Sequence, residues 1–119
     1  MKVFLNASSK SLNSIIDSSF SRSNYFLLYE TDNDEYEFFN NIHQDLQSSV
    51  GMAVANLAIE KGAEVVIAVN PGPHAFKTLK ENNIAVYHAP EGKKLKEIIK
   101  MFINDQSATI DNFLPHYNQ

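Results

Sequence analysis

The residues best placed to do chemistry are those of the turn Asn70-Pro71-Gly72-Pro73-His74. The near-continuous apolar run Val65-Val66-Ile67-Ala68-Val69 stops there, and an amphipathic segment restarts at Ala75-Phe76. Such a junction reads as a buried strand feeding a helix. Backbone N–H groups at a helix start have no partner within their own helix and carry partial positive charge, so they suit an anion. Asn70 adds a polar side chain, Gly72 adds flexibility, and His74 adds an imidazole that can titrate or ligate a metal. Any site in this protein is expected to include the turn.

Four other side chains have ligand chemistry. His43 precedes the first helix and His88 follows the last strand, each either a ligand or a solvated surface residue. Met52 offers a thioether to a soft metal or fills a gap in the core. His116 falls in the C-terminal tail. The chain contains no cysteine, which removes disulfides, thiolate zinc sites and thiolate-ligated iron-sulfur clusters from the chain on its own.

A length of 119 residues supports one core, with 44% hydrophobic and 20% charged residues, which is ordinary globular composition. The net charge of −4 is unevenly placed: residues 1–50 carry seven acids and three bases, residues 51–119 seven of each. Nucleic acid is therefore not an expected partner. Lys93, Lys94, Lys96 and Lys100 cluster in a helical stretch, where a solvated face explains them. No apolar run reaches the roughly 18 residues of a membrane span, and the short apolar start Val3-Phe4-Leu5 suits a strand better than a signal peptide. A cytoplasmic protein without membrane contact is expected.

The elements that must position the turn are legible in order. Val3-Phe4-Leu5 and Tyr25-Phe26-Leu27-Leu28-Tyr29-Glu30 read as strands, and Thr31-Asp32-Asn33-Asp34 is a turn leading into a third strand from Tyr36, making a hairpin. Ser48 and Ser49 are helix-starting types, followed by Val50, Val54, Leu57 and Ala58 at helical spacing until Gly62. After the strand Val65–Val69, Pro73 suits a first helical turn, Phe76 and Leu79 give its inward face, and Asn82-Asn83 ends it. Ile84-Ala85-Val86-Tyr87 is a fifth strand. Leu95, Ile98, Ile99, Phe102 and Ile103 form the third helical stripe, opening after Pro90-Glu91-Gly92. Strands separated by helices call for parallel pairing with right-handed crossovers, so the class is α/β with a mixed sheet. The domain is expected over residues 1–104, with a polar tail at 105–119 in which Phe113 and Leu114 form a small apolar patch.

Ser18-Ser19-Phe20-Ser21-Arg22-Ser23-Asn24-Tyr25-Phe26, then Gly51 eleven residues before Gly62, then Gly72-Pro73-His74-Ala75-Phe76 and Ile84-Ala85-Val86-Tyr87 together resemble the dinitrogenase iron-molybdenum cofactor biosynthesis domain, the nitrogenase accessory factor-like family. The resemblance runs from Met1 to about Ile103. It implies a three-layer, ribonuclease-H-like fold with five strands in the order 3-2-1-4-5, the second antiparallel to the rest. It also implies a binding or carrier role for a preassembled metal-sulfur cofactor: the iron-molybdenum cofactor, its precursor, or a molybdenum-copper-sulfur cluster. Cofactor-assembly or acceptor proteins would be its partners.

With that implied strand order, the loops at 7–10, 40–51, 70–74 and 88–92 gather on one sheet edge. The order reverses between strands 1 and 4, and open α/β sheets bind ligands at such a point. Helix starts near Gly51, Gly72 and Gly92 would face the same edge with unpaired N–H groups. The cofactor-binding set expected on this basis is Asn70, Gly72, Pro73, His74, Gly51 and Arg22, with His74 and His43 as metal ligands. Arg22 matches the family's basic turn position, where it either binds an anion or clamps the strand that follows. Ser21 replaces a glycine common in the family, and Ser48-Ser49 and Pro71 also depart from its pattern.

Catalysis is not expected. A ribonuclease-H-like nuclease needs clustered carboxylates on central strands, and the first strand carries none. Asp32, Asp34, Glu35 and Glu37 crowd the hairpin instead. There is no nucleophile elbow, phosphate-binding Gly-Lys-Ser loop or His-Glu metal motif. The alternative to a cluster carrier is a protein-interaction or regulatory module that keeps the fold and docks through the acidic hairpin or the Lys93–Lys100 face.

Overall fold

The computed structural model describes residues 1–104; Phe113, Leu114 and His116 lie outside the described residues. Strands β1 (Lys2–Ala7), β2 (Tyr25–Glu30) and β3 (Glu35–Asn40) precede α1 (Val50–Glu60), β4 (Val65–Ala68), α2 (Pro73–Glu81), β5 (Ala85–His88) and α3 (Leu95–Ile103). They form a single mixed sheet in the order β3-β2-β1-β4-β5. β2 runs antiparallel to both neighbours, whereas β1, β4 and β5 are parallel. The expected order and the single reversal between β1 and β4 are both present.

The pleat divides the apolar residues between two layers. Phe4, Phe26, Val66 and Val86 project toward α1 and α2, where they meet Val54, Ala55, Ala58, Phe76 and Leu79. Val3, Leu5, Leu27, Val65 and Ile67 project to the other face, against Leu95, Ile98 and Ile99 of α3 and Ile16 of the long β1–β2 connection. β4 is buried throughout, as its unbroken apolar run requires of a strand covered on both faces. Each fully buried aliphatic or aromatic side chain here stabilises by about 1.5–3 kcal/mol through burial.

An aromatic group ties the β1–β2 connection to the core. Phe20 is buried, with its ring 6.0 Å from Phe4 and 6.3 Å from Phe26, and Phe4 stacks on Phe26 at 5.0 Å. At the hairpin, the Tyr29 hydroxyl donates to Asp34 Oδ1 at 2.5 Å. That bond, followed by burial, pushes the Tyr29 pKa up to about 12.

Three local expectations are corrected. Ser49 stands at the N-cap of α1, but in the left-handed region at φ 60, and its hydroxyl makes no capping bond. Met52 is not in the core; it is 46% exposed. Finally, α3 starts at Leu95 and not at Gly92, and its first donors are consumed. Leu95 N–H bonds Ser14 O and Lys96 N–H bonds Leu12 O. The connection after β1 folds back to seal that helix start, which removes one of three expected anion-facing termini.

Candidate functional site

A cleft of about 460 Å³ opens at the switch point between β1 and β4. One wall is the turn after β4, Val69 through Gly72; the other is Ser18, Ser19, Phe20 and Ser21 from the β1–β2 connection, with Glu91 at the third side. The volume lies within the range of small-ligand sites.

The second wall is held by one buried amide. Asn6, near the C-terminal end of β1, is fully buried, and its Nδ2 donates to Asp17 O and Ser19 O. Phe20 plugs into the aromatic core next to it, which leaves the flanking Ser18, Ser19 and Ser21 to line the cleft. Ser19 Oγ also accepts from Arg22 N–H at 3.3 Å, and Asp17 Oδ1 accepts from Ser19 N–H at 3.1 Å. Asn6 Oδ1 meets no donor among the described residues. A buried acceptor without a partner is costly, so the two Nδ2 bonds and the loop they fix are what the position gains.

The first wall is a closed turn. Gly72 sits at φ 80, a conformation that side-chain-bearing residues rarely adopt, and its N–H donates to Asn70 Oδ1 at 3.2 Å. That bond occupies the Gly72 donor. Pro71 is buried and Pro73 has no N–H to offer. The lining of the cleft thus combines serine and asparagine residues with the single carboxylate residue Glu91.

The expected site residues separate. Asn70 and Gly72 line the cleft. Pro73 and His74 belong to a different hollow of about 530 Å³ on the outer side of α2, shared with Phe76, Lys77, Lys80 and Glu81. Gly51 lies against the start of α2: a Cβ placed there would sit 3.6 Å from Ala75 Cβ, an ordinary contact. Arg22 is engaged elsewhere. Its Nη1 donates to Gln44 O at 3.0 Å, and Gln44 Nε2 returns bonds to Arg22 O at 3.0 Å and Asn24 Oδ1 at 2.7 Å. These bonds tie the β1–β2 connection to the loop after β3. His43 lies half-buried in the same clamped turn, where its N–H donates to Asn41 Oδ1. His88 is exposed at the end of β5. No group of three or more His, Asp or Glu that could hold a metal ion exists among the described residues.

Sequence reasoning missed Asn6 and the serine wall. The signal for Asn6 is a lone carboxamide inside an apolar strand, since a buried amide must bond something. The wall carries no periodicity to find.

The family model for the dinitrogenase iron-molybdenum cofactor matches residues 1–105. The chain belongs to this family. Its relatives include an uncharacterised protein of Methanocaldococcus jannaschii, 30% identical over 94 residues that cover 76% of this chain and 79% of the other. Among solved structures, a NifB-like protein of the DUF35 family from Thermotoga superposes with a TM-score of 0.81 at 30% identity, over 94% of this chain and 95% of that one. The apo form of the orange protein from Desulfovibrio gigas superposes with a TM-score of 0.89 over 93% of each chain; at 23% identity it shares the fold. Among the described residues no helix is long and apolar enough to cross a membrane.

Proposed function

We propose that this family member is a non-catalytic carrier of a preassembled, anionic metal-sulfur cofactor, of the iron-molybdenum or a related molybdenum-containing kind, received from or passed to a cofactor-assembly or acceptor protein in the cytoplasm. Residues 1–104 are the carrying domain and 105–119 an appended tail. The observation that carries the reading is the cleft at the β1/β4 switch point, lined by Ser18, Ser19, Ser21 and Asn70, residue types that carry hydroxyl and carboxamide groups. A cluster that brings its own sulfide ligands needs no thiolate from the protein, in keeping with a chain that has no cysteine. Its bridging and terminal sulfides accept hydrogen bonds, and hydroxyl and amide donors supply them without displacing a metal ligand. Such a site holds its cargo loosely enough to give it up.

The reading is tested by purifying the chain anaerobically from a host replete in iron and molybdenum, and assaying bound metal with the visible spectrum. Coloured protein that contains molybdenum is expected. Colourless, metal-free protein that also fails to take up a supplied metal-sulfur cluster overturns the reading.

A further inference from the structure

The sheet ends in two edges of unequal kind. β5 offers four residues; β3 offers six, in unbroken register with β2 from Tyr25/Asn40 to Glu30/Glu35. Asn41 N–H donates to Asn24 O at 3.0 Å, so those two residues form a hydrogen-bonded pair. Because such pairs alternate along an antiparallel ladder, Phe39, Glu37 and Glu35 bond inward to β2. The N–H and C=O groups of Tyr36, Phe38 and Asn40 therefore point off the sheet, and no bond from another described residue meets them.

Exposed edges are ordinarily blunted by charged side chains, especially lysine, or by proline or a bulge. β3 has no lysine, proline or bulge. It carries Glu35 and Glu37, and the sequence contains no Lys or Arg from Ser23 to Glu60. Glu30 and Asp32 are paired with the Met1 amine, but Glu35 and Glu37 have no ion-pair partner among the described residues. Lys2 lies in the shallow hollow it shares with Glu30, Glu35 and Glu37, and Lys61 is engaged over the Phe39 ring at 4.7 Å. On the opposite face of β3, Tyr36 is 51% exposed beside half-buried Phe38.

We propose that the β3 edge is a docking strand for an extended segment of another protein in which Lys or Arg alternates with apolar residues. The main chain of that segment bonds Tyr36, Phe38 and Asn40. Its cationic side chains fall on the face of Glu35 and Glu37, and its apolar ones cover Tyr36 and Phe38, because side chains alternate with period two. Charge decides against the other two occupants. A second copy of β3 would crowd four glutamates onto one face of the joined strands. The tail, residues 105–119, carries Asp105 and Asp111 with no Lys or Arg.

The test uses the 119-residue chain, followed by amide hydrogen exchange, with two seven-residue peptides that alternate valine with either lysine or glutamate. The lysine peptide is expected to slow exchange at Tyr36, Phe38 and Asn40, and to bind about tenfold more weakly to the Glu35→Lys, Glu37→Lys double variant, to which the glutamate peptide now binds better. Retained amide dispersion in that variant certifies its fold. Equal binding of the two peptides to the parent, or protection confined to other strands, overturns the proposal. So does slow exchange at these three amides in dilute free protein, which assigns the edge to the tail, or protection that grows with chain concentration, which assigns it to a second copy.

Discussion

Two hollows flank the start of α2, and they differ in nearly everything except their place in the sequence. Asn70, Pro71 and Gly72 face a cleft walled by serine hydroxyls, whereas Pro73 and His74, the next two residues, border a groove lined by Phe76, Lys77, Lys80 and Glu81. The cleft sits where the strand order reverses; the groove sits on the outside of a helix. Each helical residue rotates by about 100°, so the first turn of a helix sends neighbouring side chains in different directions. A motif that is continuous in sequence is thus divided between two environments, and the cleft acquires its other wall from residues some fifty positions earlier.

Substitutions that damage one hollow and spare the other sharpen this contrast. Phe20→Ala has the largest expected effect, because it empties a site between Phe4 and Phe26: a loss of about 3–5 kcal/mol by urea unfolding, with faster amide exchange at residues 17–22 than in α2. Asn6→Leu removes both bonds to the Asp17 and Ser19 carbonyls and should cost about 1–3 kcal/mol, loosening the serine wall but not the outer groove. Equal loosening of both hollows would show that the Asn6 bonds do not act on the serine wall alone.

A control lies far from either. Tyr29→Phe should cost about 1 kcal/mol by removing the bond to Asp34. The folded-state tyrosine titrates at about 12 against an ordinary value of 10.0, so its contribution is complete below pH 10 and is lost as pH rises toward 12. The parent should therefore lose stability over that alkaline interval more steeply than the variant, as read by urea unfolding at several pH values. The smallest effect is expected at Glu91, whose exposed carboxylate opposes an anion in the cleft: Glu91→Gln should strengthen thiomolybdate binding about twofold, and less at high salt.

The fold was largely legible because its signals are local and repeated. The stripe Leu95, Ile98, Ile99 and the run Val65–Ala68 announce their elements through period and burial, and the family resemblance supplies the strand order. The cleft was legible on one wall only. Asn70 and Gly72 stand at a strand-to-helix junction, which chemistry and spacing single out. Ser18, Ser19 and Ser21 stand in a connection that runs from Ser8 to Asn24 between regular strands, and the bonds that place them come from Asn6 and from the burial of Phe20. Those are long-range contacts with no periodic trace. The loss of the α3 start as an anion site has the same origin, since Leu12 and Ser14 carbonyls take its donors from eighty residues away.

Uptake of tetrathiomolybdate by the apo chain decides whether the cleft is the cargo site. Bound molybdenum per chain after anaerobic gel filtration would be compared for the parent, Asn70→Ala and His74→Ala. The parent and His74→Ala should retain molybdenum equally, and Asn70→Ala should bind about fivefold more weakly, the loss expected for one hydrogen-bond donor. Loss of binding in His74→Ala with none in Asn70→Ala would place the cargo in the outer groove and not in the cleft.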